Sequence, residues 1–293
     1  MKIIDGKNIS NLIKEEIKVE VDQIISNGER PPHLAAVLVG EDGASLTYVA
    51  SKVRSCQQVG FNSTLVKLPV DILEKELLKK IKELNNDDNI DGFIVQLPLP
   101  DHIDEEKILL AINPNKDVDG FHPTNFGKMA LNMKTFIPAT PFGIMELLKR
   151  YDIETKGKYT VVLGRSHIVG RPISILMNSK GNPGDSTVTV VHSRTKNIEN
   201  YTKNADIIIS ALGIPGFVKN EMVKDGVVVI DVGITRVKDN NHPKGYVIRG
   251  DVDFDSVKQK ASYITPVPGG IGPMTIAMLL KNTLLSRSLL KNY

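Results

Sequence analysis

A chain of 293 residues, 41% hydrophobic and 24% charged, is long enough for two domains and excludes a disordered or collagen-like composition. A net charge of +3 with dispersed lysines gives no footprint for nucleic acid, and the single cysteine, Cys56, excludes an internal disulfide. No run approaches the ~20 apolar residues that span a bilayer, MKIIDGKNISNLIKEEIK lacks the apolar core of a signal peptide, and the six scattered histidines form no ligand motif, so we expect a cytoplasmic protein with no membrane segment and no structural metal.

The first apolar pattern has helical spacing. Ile9, Leu12, Ile13, Ile17, Val21, Ile24 and Ile25 predict an amphipathic helix over 9–25 that stops at Asn27-Gly28. Pro31-Pro32 separates it from LAAVLVG (34–40), a continuous apolar run that predicts a buried strand. EDGAS turns the chain into a helix over 45–59. FNSTLVKLP predicts a second strand, DILEKELLKKIKELN a second helix, and DGFIVQLPLP a third strand at 93–97. This β-α-β-α-β order predicts a small parallel sheet flanked by helices, whose ligands sit at the carboxyl ends of the strands.

The residues at those ends are chemically pointed. SLTYVASK puts Tyr48 and Lys52 on one helical face, with Ser45 three residues before Tyr48. Gln96 and the rigid LPLP follow the third strand, and NPNKDVDGFHP carries Asp117 and Asp119. Singly, each has an ordinary explanation: a solvated helix face, a strand-end amide, a turn. Convergence at the ends of one sheet favours a site built from a lysine, a tyrosine, an amide and a carboxylate.

Residues 120–143, rich in Pro, Gly, Thr and Asn, read as a long ordered linker or cleft wall, and GIMELLKRYDI as a helix leading into a second domain. There YTVVLGRSHIVGRP (159–172) runs from a buried strand through Gly164 and the small Ser166 into a helix that starts near Val169 and Gly170, with Pro172 in its first turn. Such a turn aims backbone N–H groups and a positive dipole end at one point, which suits a phosphate; the pattern is looser than G-x-G-x-x-G. Strands at 188–191, 206–210, 227–233 and near 263–265 complete a Rossmann-type alternation. Y-x-x-x-K also marks short-chain dehydrogenases, but there it follows the nucleotide-binding turn, whereas Tyr48 and Lys52 precede it on a different sheet.

The second strand of this half ends VTVVHSRT, with no carboxylate for a ribose 2′-hydroxyl but with His192, Ser193 and Arg194 available to a 2′-phosphate, so NADP is expected over NAD. GNPGDS (181–186) accounts for the long spacing between Gly164 and Arg194. The expected cofactor contacts are Gly164, Arg165, Ser166, Ile168 and Gly170 in the turn, Ser193 and Arg194 beyond it, and Ala211, Val232 and Ile234 in the small, Gly-containing strand ends SALGIPG and DVGIT. TPVPGGIGPMT (265–275) is a second Gly/Pro-rich loop that opens a helix. The expected architecture is α/β with two domains, each a mainly parallel sheet flanked by helices: residues 1–140, then a Rossmann-like 141–272, with a last helix at 273–293 packing back onto the first.

TYVASK, VQLPLP, DVDGFHP, PATPFG, GRSHIVGRP and PVPGGIGPMT occur in the order seen in the bifunctional methylenetetrahydrofolate dehydrogenase/cyclohydrolase family, which the chain resembles over nearly its whole length. It has Ala139 where that family's motif usually has cysteine, and no step of the chemistry needs a thiol. The resemblance implies oxidation of 5,10-methylenetetrahydrofolate with NADP to the 5,10-methenyl cation, then hydration to 10-formyltetrahydrofolate, with the folate between the domains. It implies Lys52 as the central group of hydrolysis, Gln96 contacting that lysine, Tyr48 lining the pterin and Asp119 holding it. It further implies Ser45, Pro268, Gly269 and Gly270 along the folate, Thr275 on the cofactor, and a homodimer formed through the nucleotide domain.

Overall fold

The computed structural model describes residues 1–40, 43–243 and 245–290, apart from the side chains of residues 44, 45 and 290. In chain order the elements are β1 (Lys2–Ile3), α1 (Gly6–Ser26), β2 (His33–Val39), α2 (Gly43–Gln58), β3 (Asn62–Leu68), α3 (Glu74–Asn86), β4 (Gly92–Val95), α4 (Glu105–Ala111), α5 (Pro123–Ala130) and α6 (Ala139–Arg150). There follow β5 (Tyr159–Leu163), α7 (Gly170–Asn178), β6 (Thr187–Val191), α8 (Glu199–Thr202), β7 (Ile207–Ser210), β8 (Val228–Asp231), β9 (Thr235–Lys238), β10 (Tyr246–Arg249), α9 (Phe254–Val257), β11 (Tyr263–Ile264) and α10 (Ile271–Leu290). Among the described residues no helix is long and apolar enough to cross a membrane.

The chain forms two compact units, Asn11–Ala139 with Ile276–Tyr293, and Met1–Ser10 with Thr140–Thr275. The first holds a three-stranded sheet of order β3-β2-β4, all parallel. Central β2 is buried along Leu34–Val39, as a strand covered on both faces requires, while edge strand β3 is only partly covered. Helix α3 places Leu77, Ile81 and Leu84 on one face, and these join Ala35, Val37, Phe93 and Ile108 in one core. Each of the larger of these side chains (the Val, Leu, Ile and Phe) stabilises the unit by about 1.5–3 kcal/mol. In α1 the buried stripe is narrower than the apolar pattern: Ile9, Ile13, Ile17 and Val21 are covered, whereas Leu12 and Ile25 face solvent.

The second unit holds a six-stranded sheet of order β1-β11-β8-β7-β5-β6, with every neighbouring pair parallel. Its core sets Val161, Leu163, Ile208 and Val229 against Val257 and Ile264. Strands β9 and β10 form a separate antiparallel hairpin.

Three features depart from the sequence expectations. Residues 1–10 belong to the six-stranded unit rather than to the first domain, because β1 pairs with β11 and the Lys7 N–H donates to the Gly269 carbonyl at 2.8 Å. Residues 120–143 are not all linker, since α5 occupies Pro123–Ala130. Pro123 supplies the preset first-turn φ, and His122 Nδ1 accepts the Thr124 N–H at 3.1 Å as an N-cap. Helix α6 starts at Ala139, ahead of the GIMELLKRYDI segment.

Candidate active site and cofactor cradle

In the three-stranded sheet the chain goes from β2 to β3 on one side and on to β4 on the other, so the order reverses at the carboxyl ends of β2 and β4, where open α/β sheets hold ligands. Gln96 follows β4 there, its N–H bonded to the Val37 carbonyl at 2.9 Å. The Gln96 side-chain amide donates from Nε2 to the Leu97 carbonyl at 2.7 Å, which turns Oε1 outward as an acceptor. Lys52, on α2, donates its Nζ to that Oε1 at 3.1 Å.

Asp119 completes the cluster. It sits on a loop stitched beside β4: the Phe93 N–H donates to the Lys116 carbonyl, and Phe93 and Asp117 form a parallel bridge. The loop is shaped by Asp117, whose buried carboxylate accepts N–H groups from Phe121 at 3.3 Å and His122 at 2.8 Å, and the Asn125 Nδ2 at 2.8 Å. Asn282 of α10 clamps it from the other side, donating to the carbonyls of Val118 and Ile137. Gly120, at φ +73°, passes so near residues 137 and 138 that a Cβ would lie 2.8 Å from the Pro138 nitrogen.

Lys52 and Asp119 are close enough for their charges to interact. Burial pulls the Lys52 amine below the ordinary lysine range, partly offset by the Asp119 carboxylate. Burial likewise lifts Asp119 above the ordinary carboxylate range, which Lys52 opposes and Asp117 reinforces. A desolvated amine with a fixed amide acceptor and a nearby carboxylate is equipped to take and return a proton. Tyr48 lies one turn before Lys52 on α2 and is 42% exposed. The side chain of Ser45 lies outside the described residues.

The six-stranded sheet has its own reversal, between β5 and β7. Gly164, at φ +111°, follows β5, and a Cβ there would stand 2.3 Å from the Ala211 carbonyl oxygen beyond β7. A Cβ on Gly170 would stand 2.4 Å from the Gly164 carbonyl oxygen. Ser166 Oγ accepts the N–H groups of Val169 and Gly170 at 3.2 and 3.3 Å, holding the turn at the start of α7. Only glycine fits at 164 and 170, which leaves the backbone bare toward the reversal point, as close approach by a pyrophosphate requires. Around it Arg165 and Ile168 are exposed. Beyond β6, His192 and Thr195 close a turn through the His192 N–H to Thr195 Oγ1 and the Arg194 N–H to His192 Nδ1, leaving Ser193 and Arg194 exposed at its tip. His192 thus has a local turn-forming role.

Ala211 and Val232 are half-buried at the ends of β7 and β8, and Ile234 is exposed. The Gly269 carbonyl accepts from Lys7, and the Gly270 carbonyl packs so tightly on Gly6 that no Cβ fits there. Pro268, beside them, is exposed. Thr275 Oγ1 is 2.9 Å from Thr140 Oγ1 at the start of α6. Sequence reasoning passed over Thr140, Thr265, Asp231 and Asp251. The last two are buried carboxylates under the β7 and β8 ends, and apart from the Ser210 hydroxyl on Asp251 their partners are backbone N–H groups, which leave no residue pattern to read.

A glycine-lined strand-turn-helix at the reversal of a parallel sheet defines a dinucleotide-binding domain of the Rossmann class. Two family models match in tandem: tetrahydrofolate dehydrogenase/cyclohydrolase, catalytic domain, over residues 4–119, and tetrahydrofolate dehydrogenase/cyclohydrolase, NAD(P)-binding domain, over 138–290. The chain is 72% identical over 289 residues to the bifunctional protein FolD of Flavobacterium johnsoniae, covering 99% of this chain and 98% of that one. Among solved structures, the FolD dehydrogenase/cyclohydrolase of Campylobacter jejuni superposes with a TM-score of 0.93 at 48% identity, covering 99% of each chain. The Trypanosoma brucei dehydrogenase-cyclohydrolase, solved with NADP cofactor and an inhibitor, gives 0.92 at 40% identity over 98% of each chain. The chain belongs to the tetrahydrofolate dehydrogenase/cyclohydrolase family.

Proposed function

We propose that this chain oxidises 5,10-methylenetetrahydrofolate with NADP to the 5,10-methenyl cation and then hydrolyses that cation to 10-formyltetrahydrofolate, with Lys52 moving the protons of the second step. The same folate passes through both steps. The observation that supports this most directly is the Lys52 Nζ to Gln96 Oε1 bond beside Asp119 at the reversal of the three-stranded sheet.

Bound NADP supplies the acceptor for the hydride leaving the methylene carbon, a step that needs positioning more than a base. Gly164, Ser166 and Gly170 would hold its pyrophosphate, Arg165 and Ile168 would flank it, and Ser193 and Arg194 would meet the 2′-phosphate. Ala211, Val232, Ile234 and Thr275 would line its remaining length. Tyr48 and Asp119 hold the pterin, with Ser45, Pro268, Gly269 and Gly270 along the rest of the folate.

In the hydrolytic step water attacks the methenyl carbon and gives a proton to the Lys52 amine. The C–N5 bond then breaks, Lys52 returns its proton to N5, and the hydroxyl proton leaves as the formyl C=O forms. An amine at an ordinary pKa of about 10.4 is mostly protonated at neutral pH, so the downward pull of burial makes the base available. The reading includes a homodimer built through the nucleotide-binding unit, in the cytoplasm, and sedimentation measurements test the dimer.

The deciding experiment is a spectrophotometric assay with methylenetetrahydrofolate and NADP, following formation and decay of the methenyl species in wild type and Lys52→Met. We expect hydrolysis to fall about 10²–10⁴-fold in the variant while folate binding persists. Hydrolysis at the wild-type rate would remove Lys52 from the chemistry.

A further inference from the structure

Two carboxylates lie beneath the carboxyl ends of β7 and β8 and have no part in the chemistry above. Asp251 is wholly buried and Asp231 is 3% exposed. Neither has an ion-pair partner among the described residues. Every partner is a backbone N–H or a hydroxyl.

Asp251 reads the β7 end. Its Oδ2 accepts the Leu212 N–H at 2.6 Å and the Ser210 hydroxyl at 3.2 Å, and its Oδ1 accepts the Ile214 N–H at 2.8 Å. Three donors drawn from five consecutive residues converge on one carboxylate, so the course of 210–214 follows the position of that group.

Asp231, the last residue of β8, holds Asp251 in turn. Its Oδ1 accepts the N–H groups of Asp251 and Gly233, both at 2.9 Å, and its Oδ2 accepts the Val252 N–H at 3.0 Å. The Asp231 N–H donates to Thr265 Oγ1 at 2.7 Å, which ties the pair to the strand alongside. Two glycines make room: a Cβ on Gly233 would lie 2.4 Å from Asp251 Oδ1, and one on Gly250 would lie 2.0 Å from Asp231 Oδ2. The two strand ends linked in this way carry Ala211 on one side and Val232 and Ile234 on the other.

We propose that Asp251, seated by Asp231, is a positioning residue for the dinucleotide: its carboxylate sets the peptide planes of residues 210–214 against which the cofactor lies. This rests on the placement of the cofactor at these strand ends under the proposed function. A carboxylate suits the task because it only accepts, so it aligns several N–H groups at once. An amide in its place would turn an NH2 toward those same donors. Burial without a counter-ion keeps competing water out and strengthens each of these bonds.

The test compares wild type with Asp251→Asn and Ser210→Ala. Four quantities are measured: NADPH affinity by fluorescence titration, the KM for NADP, methenyl-folate hydrolysis without cofactor, and amide hydrogen exchange at Leu212 and Ile214 in the cofactor-free protein. We expect Asp251→Asn to raise the KM for NADP tenfold or more, to lower the ratio of dehydrogenase to hydrolase kcat/KM by a similar factor, and to speed exchange at both amides. Ser210→Ala removes one donor and leaves the carboxylate in place, so it moves the same readouts in the same direction by two- to fivefold. It carries the test if the Asn variant does not fold. Both activities falling in parallel, or a KM for NADP and a ratio unchanged in a folded variant, would overturn the proposal. Wild-type protein that binds NADPH with no protection of residues 210–214 would instead remove the cofactor from these strand ends, which defeats the underlying placement before any variant is made.

Discussion

Lys52 Nζ donates to Gln96 Oε1 across 3.1 Å, and the Gln96 amide cannot turn to present its NH2 instead, because that NH2 is committed to the Leu97 carbonyl. The partner of the lysine is therefore an uncharged acceptor held in one orientation. It positions the amine without adding the negative charge that would restore its affinity for the proton.

Gln96→Glu should for that reason act through charge more than through shape. A carboxylate at the same distance favours the ammonium form and moves the Lys52 pKa back up, reducing the free amine at neutral pH. We expect hydrolysis of methenyl-folate at pH 7 to fall at least about tenfold, one pKa unit being a tenfold change in the amine fraction, with activity partly recovered as pH rises. A pH–rate profile that coincides with wild type after scaling would show that the charge at this position is irrelevant.

Asp117 and Asp119 stand two residues apart and should give opposite phenotypes. Asp117 satisfies three donors inside the loop, so Asp117→Ala leaves buried N–H groups without an acceptor at about 1–3 kcal/mol each and should lower the melting temperature by several degrees. Asp119 has its main electrostatic partner in Lys52. Asp119→Ala should leave melting little changed and raise the KM for folate in both assays. Thermal scans and kinetics on the two variants separate the roles, and a stable Asp117→Ala protein would be the contrary result.

The contrast shows what a reading of residues alone reaches. The two aspartates could be singled out because NPNKDVDGFHP is dense in turn formers, and Gln96 and the Tyr48–Lys52 pair because each follows a strand whose apolar run is unmistakable. Gly164 and Gly170 stood out for the same reason, as breaks between a buried strand and a helix. Which aspartate serves the loop and which serves the site depends on N–H groups that every residue carries, so it has no sequence signal. β1 was hidden because two residues make a strand only when β11 is beside them. α5 was hidden because Pro123, Asn125 and Gly127 resemble loop residues until Pro123 is seen at the first helical position and Asn125 in the buried hydrogen bonds to Pro114 and Asp117. The hairpin of β9 and β10 went unread, and Asp251 with it.

Arg194 tests the cofactor preference. The turn after β6 is closed by His192 and Thr195, which leaves Arg194 exposed and free of a structural duty among the described contacts of its side chain. Arg194→Glu should therefore fold normally, with an unchanged melting temperature. It should weaken NADP far more than NAD, because it turns attraction to a 2′-phosphate into repulsion. We expect the ratio of kcat/KM for NADP over NAD to drop at least about tenfold, or some 1.4 kcal/mol. A parallel loss with both cofactors would place the 2′-phosphate elsewhere.

Asp231 should leave a mark on stability in mildly acidic solution. Burial lifts its carboxyl to about 6, against the pull of the three N–H groups it accepts from Val252, Asp251 and Gly233. The unfolded value is near the ordinary 3.8, so between about pH 4 and pH 6 the folded protein holds a proton that the unfolded chain has lost. Stability from this group is then fully present below about pH 4 and lost as pH rises through 6, a change of about 3 kcal/mol at 1.36 kcal/mol per unit. Asp117 and Asp119 are also lifted by burial and act in the same sense, whereas Asp206, held low by Lys224, contributes in the opposite sense below the ordinary range. Asp231→Asn isolates the effect, since the other groups are common to both proteins. The Asn variant carries a constant penalty from its NH2 facing N–H donors, but it does not titrate. The stability advantage of wild type over Asp231→Asn should therefore shrink between pH 4 and pH 6.5, and carboxyl carbon resonances should show Asp231 titrating near 6. Unfolding profiles of the two proteins that stay parallel across that interval would place the Asp231 pKa in the ordinary range and the proton elsewhere.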